Sequence, residues 1–206
     1  MKKSEGFWDR RAQKFDEKAQ KDDSYSRVVE VSAKYVKQDD TVLDYACGTG
    51  VATFKVAALV KEVHGIDTSA GMIDVATKKA HEGGVANVRF AQMSLFDDEL
   101  DKESYDALLA LNILHLLPDA RKAVQRVSDL LKPGGLMVSV TPCLGEAGSI
   151  ARTLLPLASK VGVLPYLRTF TIPEITDLIR GEEFQILESE VLTGTMPSSF
   201  VVTRKS

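Results

Sequence analysis

The sequence has little cysteine, few aromatic residues and no excess of basic charge. Its two cysteines in 206 residues, Cys47 and Cys143, are too few for a disulfide framework. Both read as reduced thiols, and the expected location is cytoplasmic. Aromatic residues make up 7%, and Trp8 is the only tryptophan. Lys and Arg number 26 against 29 Asp and Glu, a net charge of -3. The basic footprint of a tight nucleic-acid binder is therefore missing, and nucleic acid is not an expected partner. No apolar run approaches the ~20 residues of a membrane span. Met1-Lys2-Lys3-Ser4-Glu5 is not followed by an apolar stretch, so neither a secretory leader nor a membrane span is expected. Internal repeats and low-complexity tracts are absent as well.

What remains is an ordinary globular composition, 44% hydrophobic and 27% charged, read as a single domain over residues 1–206. Ser4 to Lys21 has helical spacing, with Phe7, Trp8, Arg11 and Phe15 near one another. The aromatics imply either packing on the domain or a lid, and the lid reading extends over residues 1–38. Ser24 caps a second expected helix. Thr41–Asp44, Glu62–Ile66, Asn87–Ala91, Tyr105–Leu111 and Leu136–Thr141 read as strands. Helices Val51–Val60, Ala70–His81 and Pro118–Leu131 alternate with them. Lys132-Pro133-Gly134-Gly135 stops the last of these helices. This alternation predicts an α/β, doubly wound, mostly parallel sheet. Thr171-x-x-Glu174 is a capping box for a later helix ending at Gly181. Phe184–Leu192 and Met196–Arg204 read as a closing antiparallel hairpin, which makes seven strands.

The informative stretch is Thr41 to Gly50, a strand end followed by a Gly-rich turn and a helix start. Gly48 and Gly50 let backbone turn sharply and come close to a ligand. Asp44 and Asp67 each end a predicted strand at the same sheet edge, where such folds bind ligands. A dinucleotide fingerprint needs a third glycine, but Val51, Ala52 and Thr53 follow Gly50. The charge of Asp44 would also repel a pyrophosphate. A cationic nucleoside suits the edge better, with Asp67 placed to accept from ribose hydroxyls.

Val42-Leu43-Asp44-Tyr45-Ala46-Cys47-Gly48-Thr49-Gly50 resembles the first motif of the class I S-adenosylmethionine-dependent methyltransferases. His64-Gly65-Ile66-Asp67-Thr68-Ser69-x-x-Met72-Ile73 resembles their second-strand motif. Tyr105-Asp106-Ala107, Leu111-Asn112-x-Leu114-His115-x-Leu117 and Leu131-Lys132-Pro133-Gly134-Gly135 are similar to their later motifs, in order and spacing. The resemblance implies the Rossmann-like methyltransferase fold and S-adenosyl-L-methionine as cofactor. It implies that Asp44 and the backbone of Ala46, Cys47, Gly48 and Gly50 surround the methionine end. Asp67 would bind the ribose, Thr68 and Met72 flank the adenosine, Ser94 and Leu95 sit by adenine, and Asn112 offer backbone near the amino-acid end. No metal ligand set is implied. Two positions depart from the family. Ala46 stands where glycine is usual, and Met93-Ser94 where an acidic residue often meets adenine, leaving Asp97 as a substitute.

Methyl transfer from a sulfonium needs alignment more than chemistry from the protein. His115, just after the fourth strand, is the candidate catalytic base if the acceptor needs one. Its alternative is packing or a bond to backbone. His64 and His81 read as structural, and Cys47 lacks a sequence-linked base. The Asn/Asp-Pro-Pro-aromatic motif of nucleic-acid amino methyltransferases is replaced by Asn112-Ile113-Leu114-His115. Residues 142–170 lie where this family builds its acceptor pocket. Ile150, Leu154, Leu155, Leu157, Val161, Leu164, Tyr166 and Leu167 suggest an apolar lining, a packing flap or a homodimer surface, and Arg152 and Arg168 could anchor a carboxylate. The expected function is methyl transfer to a small, partly apolar acceptor. The competing readings are an S-adenosylmethionine-binding regulator without transferase activity and a nicotinamide-dependent oxidoreductase, the latter disfavoured by the missing glycine.

Overall fold

The computed structural model describes residues 2–19, 24–146, 159, 165–181, 183–193 and 196–206. The strands are β1 (Thr41–Tyr45), β2 (Glu62–Asp67), β3 (Val88–Gln92), β4 (Tyr105–Leu111), β5 (Leu131–Pro142), β6 (Phe184–Leu192) and β7 (Ser198–Lys205). They form one seven-stranded sheet in the order β3-β2-β1-β4-β5-β7-β6. β1 to β5 are mutually parallel, and β7 runs antiparallel between β5 and β6. This is the doubly wound sheet with a closing hairpin that the sequence pattern predicts. From β1 the chain runs outward through β2 and β3, then returns to build β4 and β5 on the other side. The crevice beyond the carboxyl ends of β1 and β4 is thus the switch point where ligands bind in such sheets.

The helices are α1 (Lys2–Asp9), α2 (Ala12–Ala19), α3 (Ser24–Tyr35), α4 (Val51–Ala57), α5 (Ala70–Glu82), α6 (Ala120–Leu130) and α7 (Ile172–Arg180). After Asp106, β4 is apolar through Leu111, because both sheet faces are covered there. Its Leu108 and Ala110 pack in one core cluster with α6 and α7, and Ala107, Leu109 and Leu111 in the other with α3 and α4. α7 begins with the expected capping box, in which Thr171 and Glu174 each bond the other's backbone. Among the described residues no helix is long and apolar enough to cross a membrane.

Several boundaries differ from the sequence expectation, each for a local reason. The single helix expected over Ser4–Lys21 is broken at Arg10-Arg11, where the Arg11 N–H turns back to the Trp8 carbonyl at 2.9 Å. The break turns Asp9 and Phe15 toward other elements, a tertiary gain that helical spacing does not register. α4 ends at Ala57, short of Val60, as the chain turns to begin β2. α6 starts at Ala120, not Pro118, because the Asp119 side chain accepts from the Lys122 N–H and sets the cap. β5 starts at Leu131, not Leu136. Its register jumps from Tyr105–Leu131 to Ala107–Leu136, so residues 132–135 bulge outward and Lys132 meets Asp106 at 2.7 Å. Of the segment 1–38, α3 belongs to the core, with Val28 and Val31 fully buried. Most of the apolar insertion lies outside the described residues, including Ile150, Arg152, Leu154, Leu155, Leu157, Val161 and Leu164.

Candidate functional site

β1 delivers Asp44 and Tyr45 to the crevice, and the next five residues turn the chain into α4. The turn needs left-handed backbone at three positions, with φ 57° at Ala46, 56° at Gly48 and 80° at Gly50. Glycine adopts this conformation freely, while a Cβ disfavours it by about 1–2 kcal/mol. Ala46 therefore carries strain that the family's glycine avoids. Ala46→Gly should raise stability by roughly 0.5–1 kcal/mol, part of the relief being offset by the freer unfolded chain. A urea midpoint that falls, with an unchanged slope, would contradict this.

The turn is fastened to β2. The Cys47 N–H donates to the Ile66 carbonyl at 3.0 Å, and the Gly48 N–H donates to Asp67 Oδ2 at 3.0 Å. Asp67 Oδ1 accepts from the Ser69 N–H at 2.9 Å, while Ser69 itself caps α5 through the Met72 N–H. The Thr68 N–H also bonds the Asp67 carboxylate, which with four acceptor directions keeps capacity for a further donor. Asp44 is fully buried, and Oδ2 accepts from the Thr53 hydroxyl at 2.5 Å. Beneath the turn lies an aromatic floor formed by Phe54 and Phe90, whose ring centroids are 5.6 Å apart. A Cβ on Gly65 would stand 2.6 Å from the Phe90 ring, so β2 needs a glycine there.

The two carboxylates share an unusual electrostatic setting. Burial pushes Asp44 up to about 7, against the Thr53 hydrogen bond, and the Asp67 charge adds to the rise. Burial also raises Asp67, opposed by its backbone N–H donors. No cationic side chain bonds either group among the described residues. The same burial and both carboxylates push the Cys47 thiol well up, so it stays protonated and unreactive. A crevice with one buried and one half-buried carboxylate, neither bonded by a cationic side chain among the described residues, suits a ligand that brings positive charge and hydroxyls. It opposes a pyrophosphate.

Other predicted positions gather at the same edge with different degrees of exposure. Met72 is buried at the start of α5, and Thr68 is exposed with its carbonyl accepting from Gln92 at 3.1 Å. The Ser94 N–H donates to Asp97 Oδ2 at 2.9 Å, which commits that Asp97 oxygen locally. The Leu95 side chain turns into the core, and its carbonyl accepts from Arg126 at 3.2 Å. Asn112 directly follows β4 in the left-handed region at φ 56°, a conformation asparagine tolerates, and its N–H donates to the Val140 carbonyl at 2.7 Å. His115 lies in a short 3-10 turn, Leu114–Leu116, with Nδ1 buried and without a hydrogen-bond partner among the described residues. Burial drives its pKa down to about 4, leaving a neutral imidazole at pH 7.

Sequence reasoning missed the residues that reach this edge from the N-terminal helices. Asp9 Oδ1 accepts from the Ser69 hydroxyl at 2.6 Å and from the Gly71 N–H at 3.0 Å. Asp16 accepts from the Thr49 hydroxyl and from Lys79 Nζ, the latter at 2.6 Å. Lys79 also donates to the Thr49 carbonyl at 2.9 Å. No sequence spacing links residues so far apart.

Comparison with known proteins agrees with this geometry. The methyltransferase domain family matches residues 36–161, more than half of the chain. The chain belongs to that family, the class I S-adenosylmethionine-dependent methyltransferases, and its cofactor is S-adenosylmethionine. Among its relatives is an aklanonic acid methyltransferase from a Streptomyces species, 31% identical over 156 residues, covering 74% of this chain and 61% of that protein. A ubiquinone biosynthesis O-methyltransferase from a Shewanella species is 31% identical over 96 residues, 47% of this chain and 41% of that protein. The chain thus spans less than two thirds of these relatives. A geranyl diphosphate C-methyltransferase from Streptomyces coelicolor, solved with Mg2+, geranyl diphosphate and S-adenosyl-L-homocysteine, superposes with a TM-score of 0.71. It covers 88% of this chain and 79% of that one at 16% identity, which shows a shared fold alone.

Proposed function

We propose that this chain transfers the methyl group of S-adenosylmethionine to a small, partly apolar acceptor. The observation that carries the reading is the pair of carboxylates, buried Asp44 and half-buried Asp67, set against a Gly-rich turn with no cationic partner among the described residues. In this reading Asp44 and the backbone of Ala46, Cys47, Gly48 and Gly50 hold the methionine end. Asp67 binds the ribose, Thr68 and Met72 flank the adenosine, Ser94 and Leu95 border adenine, and Asn112 contributes backbone. The cofactor supplies an activated methyl group on sulfur. The residues align donor and acceptor.

The acceptor class is supported by the company the chain keeps. Two of its relatives are named for aklanonic acid and for ubiquinone biosynthesis. It is also supported by the crevice edge nearest β4. The Arg168 N–H donates to the His115 carbonyl at 2.8 Å, which ties the end of the apolar insertion to the turn carrying His115. His115 is the proposed base. Its neutral imidazole would take a proton from an acceptor hydroxyl as the oxygen attacks the methyl carbon.

Calorimetric titration with S-adenosylmethionine and with NAD, followed by a methyl-acceptor screen, tests the proposal. Binding is expected for the first ligand only. Asp67→Ala should weaken it by about 1–3 kcal/mol, the scale for lost hydrogen bonds to a charged group. In the same assay His115→Asn should lower kcat and leave cofactor affinity unchanged. Methyl transfer to RNA or DNA but to no small molecule would sink the acceptor assignment. Cofactor binding without turnover on any acceptor would favour a regulator.

A further inference from the structure

α1 and α2 lie across α5 and the Gly-rich turn, yet they contribute almost nothing to the core. Ala12 is the one buried apolar residue described in them. What holds them is a pair of polar latches and a small aromatic cluster. Asp9 accepts from the Ser69 hydroxyl and the Gly71 N–H, at the start of α5 directly after Asp67 and Thr68. Asp16 accepts from the Thr49 hydroxyl and from Lys79, which in turn donates to the Thr49 carbonyl. The Trp8 ring stands edge-on to Phe7 and Phe15, with centroids 5.1 and 6.4 Å away. Phe15 covers the turn itself. Its ring lies 3.7 Å from where a Cβ on Gly48 would be.

The docked position is built into α5. Gly71 occupies the first turn of that helix, where glycine is disfavoured by about 1 kcal/mol relative to alanine. A Cβ there would stand 3.1 Å from the Asp9 Cα and 3.3 Å from its carbonyl oxygen. The glycine therefore serves the approach of α1 rather than the helix. Closing α1 also brings the Asp9 charge toward Asp67, which raises the Asp67 carboxyl further. That repulsion falls when a cationic ligand fills the crevice, so the ligand favours the closed arrangement over the open one. Partly exposed latches contribute little each, and segments held this way open locally with small free energies.

We propose that α1 and α2 form a strap over the cofactor crevice, latched by Asp9 on α5 and by Asp16 on Thr49 and Lys79, and that the strap lifts for each exchange of cofactor. Asp16 and Lys79 are then positioning residues, because they fix Thr49 between the two glycines of the turn. This rests on the reading of the crevice as the cofactor site.

Trp8 is the sole tryptophan and sits in the strap, so its fluorescence reports the motion. Stopped-flow mixing of the full chain with S-adenosylmethionine is expected to give a rate that levels off at high ligand, at the opening rate. Asp9→Ala and Gly71→Val should raise that plateau and the cofactor release rate by about twofold to fivefold, the size of one solvent-exposed charged contact. Circular dichroism melting of both variants should stay near wild type, because neither side chain is in the core. If Gly71→Val fails to fold, Asp9→Ala carries the test alone. Rates that rise linearly with ligand and coincide in wild type and variants would overturn the strap while leaving the cofactor site standing. An absence of S-adenosylmethionine binding in the wild type would overturn the cofactor reading, and the strap with it.

Discussion

Replacing Asp44 by asparagine is expected to stabilise the free protein and weaken its hold on the cofactor. Asp44 is fully buried, and its carboxyl is pushed up to about 7 by that burial. The folded state therefore binds a proton that the unfolded chain releases near its ordinary value of 3.8. Stability from this group is complete below that value and is lost as pH rises through about 7. Asp67, also raised by burial, adds to the same slope. At pH 8 the charged Asp44 is a cost to the fold. Asparagine removes it and keeps an amide oxygen for the Thr53 hydroxyl, a gain of about 2–4 kcal/mol. Urea unfolding from pH 5 to pH 8 should show a clear decline in wild type and a shallower one in Asp44→Asn.

The same change should weaken S-adenosylmethionine binding by about 1.5–3 kcal/mol, the range for hydrogen bonds to a charged group. Wild-type affinity should rise as pH increases through about 7, because the cation needs Asp44 ionised. Below that pH, binding should release a proton, which calorimetry in buffers of different ionisation heat detects. Asp44→Asn should lose most of this dependence. A variant that is less stable than wild type at pH 8 would refute the electrostatic account. An unchanged affinity would remove Asp44 from the cofactor site.

Phe170→Ala is expected to cost about 3–5 kcal/mol, the cost of leaving a large cavity in a packed core. The Phe170 ring is 1% exposed and belongs to the core cluster that holds Leu114, Cys143 and Ile175. It also anchors the end of the insertion. The Phe170 carbonyl accepts from the Gly145 N–H at 2.8 Å, and the Arg168 guanidinium lies 4.5 Å from the ring centroid. Through Arg168 the same segment reaches the His115 carbonyl. Losing the ring should therefore lower the urea midpoint and raise the KM for the acceptor more than the affinity for S-adenosylmethionine. Phe170→Leu, which keeps most of the volume, should recover most of the stability. A loss below about 1 kcal/mol for the alanine variant would mean that the site collapses around the gap.

How much was legible in the sequence depends on the range of the interaction. The strand over Tyr105–Leu111 and the capping box at Thr171 and Glu174 are written in adjacent residues, and both are found where the pattern puts them. Asp44, Gly48, Gly50 and Asp67 are legible for a related reason, since strand ends and turn glycines are local features that the parallel topology brings to one edge. Periodicity thus determined the fold class and the sheet edge, and Asp44 with the missing third glycine turned the edge toward a cationic ligand. Only the tertiary structure decided the rest. Ala46 looks like a harmless substitution until its φ of 57° shows the strain it carries. Gly65 and Gly71 owe their identity to Phe90 and to the Asp9 backbone, which are distant in the chain. The break at Arg10-Arg11 and the latches of Asp9 and Asp16 answer partners about 30 to 60 residues away, at Thr49, Ser69, Gly71 and Lys79. Helical spacing carries no trace of them, because a carboxylate on an exposed helix face looks the same in sequence whether it meets water or a neighbouring helix.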